Sequence, residues 1–172
     1  MAGRGSGGFQ VQRLGAAVRH HVLMIEAPYY EDVATALADG AIAELDAVGA
    51  TFERVVVPGA LEIPQALRLA TDAGKFTTDS DQGSYSGAIA LGCVIRGETS
   101  HYDIVCNSAN HWLMDTATKF GIPVGNAILT VDTHAQAMVR AGGGRAGKGG
   151  DAARACLQLA ELSGHFSPTV TR

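Results

Sequence analysis

AIALGCVIRGETSHYDIVCNSANHWLMDTATKF (residues 88–120) decides the fold. Its first eight residues, Ala88–Ile95, are apolar throughout, the composition of a strand covered on both faces. From about Asp103 to Phe120 the pattern changes to one that suits a long helix. Between them lies the polar turn Arg96-Gly-Glu-Thr-Ser-His-Tyr102. A buried strand followed by a helix is half of a β-α-β unit, which belongs in a parallel sheet coated by helices.

The same alternation extends in both directions. Upstream, Val22-Leu-Met-Ile-Glu-Ala27 is a second short apolar run. From Tyr30 to Val48, apolar residues recur at Val33, Leu37, Ala41, Leu45 and Val48, spacings of three and four that trace one helical face. Glu31 and Asp32 fall in its first turn, where the helix dipole favours negative charge, and Gly49 is placed to stop it. Phe52–Val57 reads as the next strand and Ile63–Ala73 as the next helix. TTDSDQGSYSG (77–87) reads as a polar surface insertion. Downstream, Gly121-Ile-Pro-Val leads into a strand ending at Val131, His134–Ala141 is helical, Gly142–Gly150 is a glycine-rich loop, and Asp151–Ser163 is the last helix. The expectation is an α/β protein with helices on both faces of a sheet whose strands are buried on both sides. Residues 1–20 form a flexible arm with a short strand near Phe9–Val11, 21–166 a single domain, and 167–172 a disordered tail.

Composition narrows the function. The 172 residues suffice for one domain with its own core. Only 17% are charged, against roughly a quarter in an average soluble domain, and 22 are glycine. Such a chain either hides surface against partners or uses glycine where backbone approaches a ligand. A net charge of −4 without Lys/Arg clusters argues against nucleic acid as a partner. No run approaches the roughly 20 apolar residues of a membrane span, and the first residues lack a signal-peptide core. Cys93, Cys106 and Cys156 are odd in number and widely spaced, as in a reduced, cytoplasmic protein.

Ligands of parallel sheets bind beyond the carboxyl ends of the strands. The turn after Ile95 would place the N–H groups of Glu98, Thr99 and Ser100 at a helix entrance, ready for an anion, with His101 beside them to pass protons. Simple helix capping by Thr99 or Ser100 is the plainer alternative, and Glu98, His101 and Asp103 as metal ligands a third. Gly142–Lys148 nearly matches a phosphate-cradling loop, but Gly149 replaces the magnesium-binding hydroxyl and no strand precedes it. Arg140, Arg145 and Lys148 nonetheless gather three cations there, suited to an anion. VPGALEIP (57–64) offers a rigid backbone against which a planar ligand can lie, and Tyr29-Tyr30 an aromatic to stack on it. Trp112, Met114 and Phe120 read as core or interface packing.

Together VPGALEIP (57–64), GCVIRGETSHYDIV (92–105), GIPVGNAILT (121–130) and RAGGGRAGKGGDAA (140–153) resemble the lumazine synthase family, over about His21 to Phe166. The resemblance implies a flavodoxin-like three-layer α/β/α sandwich on a four-stranded, mainly parallel sheet. It implies a transferase of riboflavin biosynthesis that condenses 5-amino-6-(D-ribitylamino)uracil with 3,4-dihydroxy-2-butanone 4-phosphate, giving 6,7-dimethyl-8-ribityllumazine, phosphate and water, with neither metal nor organic cofactor. It also implies a homopentamer with active sites shared between neighbours, twelve pentamers closing into a sixty-subunit shell in some members.

By that resemblance His101 is the proton-transferring histidine, and Arg140 grips the butanone phosphate, helped by Glu98-Thr99 and with Lys148 nearby. Asp151 matches an acidic position close to that lysine. Tyr29 stacks on the pyrimidine ring, while Ala60-Leu61-Glu62 and Cys93-Val94-Ile95 hold the ribityl chain and the uracil edge. Asn126 matches a ring-contacting position that borders the site from the next subunit. Leu61 stands where many relatives have an aromatic, Asn126 where others have phenylalanine, and Gly144 where some have lysine. These departures motivate one alternative, a catalytically weak flavin- or lumazine-binding or shell-forming paralogue.

Overall fold

Strand-forming and helix-forming segments alternate to give β1 (His21–Glu26), α1 (Glu31–Val48), β2 (Thr51–Val56), α2 (Glu62–Asp72), β3 (Gly87–Ile95), α3 (His101–Phe120), β4 (Val124–Val131), α4 (His134–Ala141) and α5 (Lys148–Phe166). A computed structural model describes residues 19–76 and 84–167. The strand expected near Phe9–Val11 and the greater part of the 77–87 insertion lie outside them. The strands form one sheet in the order β2-β1-β3-β4, and every pairing is parallel.

Side chains on one face of the sheet (Val22, Met24, Ile89, Leu91, Ala127, Leu129 and Val131) pack with α1, α4 and α5. The other face (Leu23, Ile25, Ala88, Ala90, Val124 and Ile128) packs with α2 and α3. This is the expected three-layer sandwich. Gly49 ends α1 in the left-handed conformation, φ 71°, where its N–H bonds back to the Asp46 carbonyl, as the sequence foresaw.

Four expectations change. The second strand is not buried on both sides, because it is a sheet edge and exposed or half-buried along its length. Its polar side chains are used laterally instead. Arg54 donates two hydrogen bonds (2.6 and 2.8 Å) to the buried carboxylate of Glu26, and Glu53 accepts one from Tyr85. Tyr85 is itself buried, and Gly87 opens β3, so the end of the polar insertion belongs to the core and the sheet. Trp112 (56% exposed), Met114 and Phe120 lie outside the core, so of the two readings, core or interface, only the interface one remains.

The fourth change concerns the glycine-rich segment, which is not a loop throughout. Gly144–Ala146 make a 3-10 turn, and α5 begins at Lys148 rather than Asp151. Gly149 and Gly150 are buried there because α5 crosses α1 closely: a Cβ on Gly149 would fall on the Leu37 carbonyl, well inside contact distance. Gly125 meets the Ala152 carbonyl in the same way where α5 crosses β4. Gly149→Ala is therefore expected to lower stability by about 3 kcal/mol, since backbone on both sides must move apart. A Tm by calorimetry equal to that of the unchanged protein would show that α5 does not sit this close.

Candidate active site

Strand order reverses between β1 and β3, so the topological switch point, the place where parallel sheets bind ligands, lies beyond the carboxyl ends of these two strands. The ladder continues past the strands at this edge, through Ala27 N to Leu91 O (2.9 Å), Val57 N to Glu26 O (2.8 Å) and Arg96 N to Val131 O (2.9 Å). These bonds fix the start of each following turn. They bring to one edge Tyr29 after β1, Ala60-Leu61-Glu62 after β2, and Glu98, Thr99 and His101 after β3.

Each group has a distinct setting. Tyr29 is 73% exposed and meets Tyr30 edge-on with centroids 5.1 Å apart, leaving its ring free to cover a ligand. Ala60 is buried and Leu61 half-buried against the α2–α3 side, while Glu62 opens α2. Val94 faces that same side, whereas Cys93 and Ile95 face the other, as alternation along a strand requires. Glu98, Thr99 and His101 are all exposed. No side-chain cap closes α3, and Thr99 Oγ1 accepts only a long 3.4 Å bond from the His101 N–H. Capping thus leaves donors at this helix entrance for an anion.

Arg96, to which the sequence pattern assigns no role, holds the turn in place. It reaches Asp132 after β4 (3.0 Å) and Asp103 in α3 (3.4 Å), and its guanidinium lies 4.1 Å above the Tyr102 ring. A cation at a strand end, seven residues before an acid in the next helix, was the available signal. Asp103 is thereby engaged, and no three His, Cys, Asp or Glu side chains gather as a metal site among the described residues. The metal-ligand alternative for Glu98, His101 and Asp103 is therefore set aside.

On the other side of β1 and β3, His134 at the start of α4 contacts Asp32 at 2.9 Å. The hydrogen bond from His134 holds the Asp32 carboxyl below its usual range. Cys93 is 8% exposed beneath this region. Burial first, then the Asp32 charge, pushes its thiol up to about 11. A thiol with so high a pKa stays protonated below that value, so Cys93 supplies no thiolate near neutrality. Iodoacetamide at pH 8 is expected to leave Cys93 unmodified in the native protein, and rapid alkylation located there by peptide mass would contradict this.

Three of the expected site residues do not join this cluster within one chain. Asn126 is the third residue of β4, paired with Ala90, so about 16 Å of strand separates it from the edge at Val131. It is exposed, donates to Asn110 Oδ1 (2.7 Å) and accepts from the Ile128 N–H (2.8 Å). Arg140 lies in the last turn of α4 and Lys148 opens α5, both on the sheet face opposite α3 and His101. Arg140 bonds only to the Gln136 carbonyl (3.2 Å) and has no carboxylate partner among the described residues. Lys148 is paired with Asp151 at 2.8 Å. The stretch Gly142–Lys148 follows a helix rather than a strand, unlike a nucleotide-binding phosphate loop.

The family model described as 6,7-dimethyl-8-ribityllumazine synthase matches residues 19–164. The chain belongs to this family. It is 49% identical to 6,7-dimethyl-8-ribityllumazine synthase 1 of Rhizobium meliloti, over 83% of this chain and 90% of that one. It is 48% identical to the synthase of Agrobacterium fabrum, over 83% and 93% of the two chains. With that of Methylorubrum extorquens the figure is 50%, over 80% and 78%. Membership of the lumazine synthase family makes the chain a transferase of riboflavin biosynthesis. No described helix is long and apolar enough to cross a membrane.

Proposed function

We propose that this chain condenses 5-amino-6-(D-ribitylamino)uracil with 3,4-dihydroxy-2-butanone 4-phosphate in a site completed by a second copy of itself. The observation that carries this reading is the division of the site residues between two faces of one sheet. Tyr29, Ala60-Leu61-Glu62, Glu98, Thr99 and His101 cluster at the switch point, while Arg140 and Lys148 stand on the far face and Asn126 back along β4. A neighbour that presents Asn126, Arg140 and Lys148 to the switch point of the next chain supplies what each chain lacks alone. A ring of such head-to-tail contacts closes on itself, and a homopentamer is the closure proposed.

The chemistry follows from these groups. The ring of the amine substrate lies under Tyr29, with its polar edge and ribityl chain along Ala60-Leu61-Glu62 and the end of β3. The butanone phosphate is held by the Arg140 fork, the Lys148 ammonium and the N–H groups at Glu98-Thr99. Holding both reactants together supplies most of the acceleration. His101 accepts the proton that the amine loses on adding to the ketone and returns it as water leaves. Loss of phosphate is assisted by the cations already around it. Ring closure with loss of water completes the lumazine. No step calls for a metal or an organic cofactor.

A mixing experiment tests the shared site. His101→Ala and Arg140→Ala proteins, each nearly inactive when butanone phosphate is kept well below the raised KM of the second, are dissociated together and reassembled. Random mixing is expected to rebuild about a quarter of the sites with both groups intact, so lumazine fluorescence should return. If each chain held a whole site, no activity would return, and the sharing would be refuted. Sedimentation of the unmixed protein at the mass of a monomer would refute it equally.

A further inference from the structure

Among the described residues, the most connected charge cluster lies behind Lys148. Glu44 of α1 is 5% exposed, and one of its oxygens accepts from both Arg145 Nε (2.9 Å) and Arg154 Nη1 (3.1 Å). The other terminal nitrogen of Arg154 donates to the Arg145 carbonyl (3.0 Å) and reaches Asp151 Oδ1 at 3.5 Å. Asp151 Oδ2 in turn pairs with Lys148 Nζ at 2.8 Å. Charged contacts therefore run from the buried carboxylate of Glu44 through Arg154 and Asp151 to the exposed Lys148, with Arg145 as a second cation on Glu44.

Two physical requirements meet in this arrangement. A carboxylate as buried as Glu44 is costly unless cations satisfy it, and two guanidiniums on one oxygen do so. Asp151 poses the opposite difficulty. It stands in the first turn of α5, where the dipole favours an anion, and left alone it would cancel the Lys148 charge that a phosphate needs. Arg154 lies one helical turn further on and reaches the other Asp151 oxygen, so that Asp151 is shared between two cations and the cluster as a whole keeps a net positive charge.

We propose that Arg154, anchored by Glu44, is a positioning residue for phosphate binding: it shares the Asp151 carboxylate with Lys148, offsetting part of its charge, and fixes the turn through Arg145 from which Lys148 rises. The inference rests on reading Lys148 as a phosphate ligand, and it adds two residues, Arg154 and Glu44, that touch no substrate. The fork of Arg154 matters as much as its charge. One nitrogen serves Glu44 while the other serves Asp151 and the Arg145 carbonyl, a division that a single ammonium cannot reproduce.

The test is a double-mutant cycle on the assembled enzyme, with both substrates varied and inorganic phosphate as inhibitor. Arg154→Met is expected to raise the KM for butanone phosphate and the Ki for inorganic phosphate about fivefold, leaving the KM for the uracil substrate unchanged. In a Lys148→Met background the same substitution is expected to change neither, and Arg154→Lys is expected to resemble Arg154→Met. An equal fold-change in both backgrounds, a fall in Tm with phosphate binding unaltered, or full rescue by Arg154→Lys overturns the proposal. Should Arg154→Met fail to assemble, the exposed substitution Asp151→Asn must show the same coupling to Lys148, and its absence overturns the proposal too. If Lys148→Met alone leaves phosphate binding intact, the phosphate reading of Lys148 fails, a result distinct from loss of the coupling.

Discussion

His101→Ala is expected to lower kcat by at least about a hundredfold while changing neither KM by more than a small factor, because positioned proton transfer is worth about 10²–10⁴. The side chain is exposed, and His101 bonds to Thr99 Oγ1 through its backbone N–H. Alanine keeps that bond and suits a helix start, so Tm should not move. Loss of rate without loss of binding or stability is the signature of a group acting only in the transition state. His101→Gln sharpens the test, since glutamine retains a hydrogen-bonding amide but carries no exchangeable charge near neutral pH. It should be nearly as slow as alanine. A glutamine variant close to full rate would mean that His101 orients the substrate and that solvent moves the protons.

Much of the architecture was legible because it depends on local pattern. The all-apolar run Ala88–Ile95 fixes a central strand, and the spacing of Val33, Leu37, Ala41 and Leu45 fixes the buried face of α1. The edge position of β2 was not legible, because Phe52–Val57 is apolar enough to pass for a central strand. Only the sheet order reveals that Arg54 and Glu53 work sideways, onto Glu26 and Tyr85. Glycine misled for a related reason. Gly149 and Gly150 sit beside lysine and look like a phosphate loop, yet each is small because a carbonyl from another turn lies where its Cβ would be. Close approach between distant segments leaves the same mark on a sequence as approach to a ligand.

The site itself divides along the same line. His101, Glu98 and Thr99 were visible because a strand end, a turn and a helix start are adjacent in the chain. The separation of Arg140 and Lys148 from them was not visible, because which sheet face a helix covers depends on crossover geometry rather than on any one residue. Nor did spacing reveal Arg154, which lies in an ordinary helical stretch and gains its meaning from Glu44, 110 positions away.

Arg140→Ala carries the second large effect. It is expected to raise the KM for butanone phosphate by about 10–100-fold, since hydrogen bonds to a charged partner contribute about 1.5–3 kcal/mol. The KM for the uracil substrate should stay nearly constant, and inhibition by inorganic phosphate should weaken in parallel. The free chain gives this residue little else to do. It is exposed, its one hydrogen bond is to the Gln136 carbonyl in its own helix, and no described carboxylate neutralises it, whereas Arg54, Arg68, Arg96, Arg145 and Arg154 are all paired. An unpaired guanidinium beside the start of α5 is poised for an external anion, and its removal should not cost stability. Arg140→Lys separates charge from geometry, because lysine keeps the first and loses the bidentate fork. An intermediate KM is expected for it. If alanine leaves both the phosphate-substrate KM and phosphate inhibition untouched, Arg140 is not the phosphate grip, and Lys148 with the Glu98-Thr99 backbone must hold the anion without it.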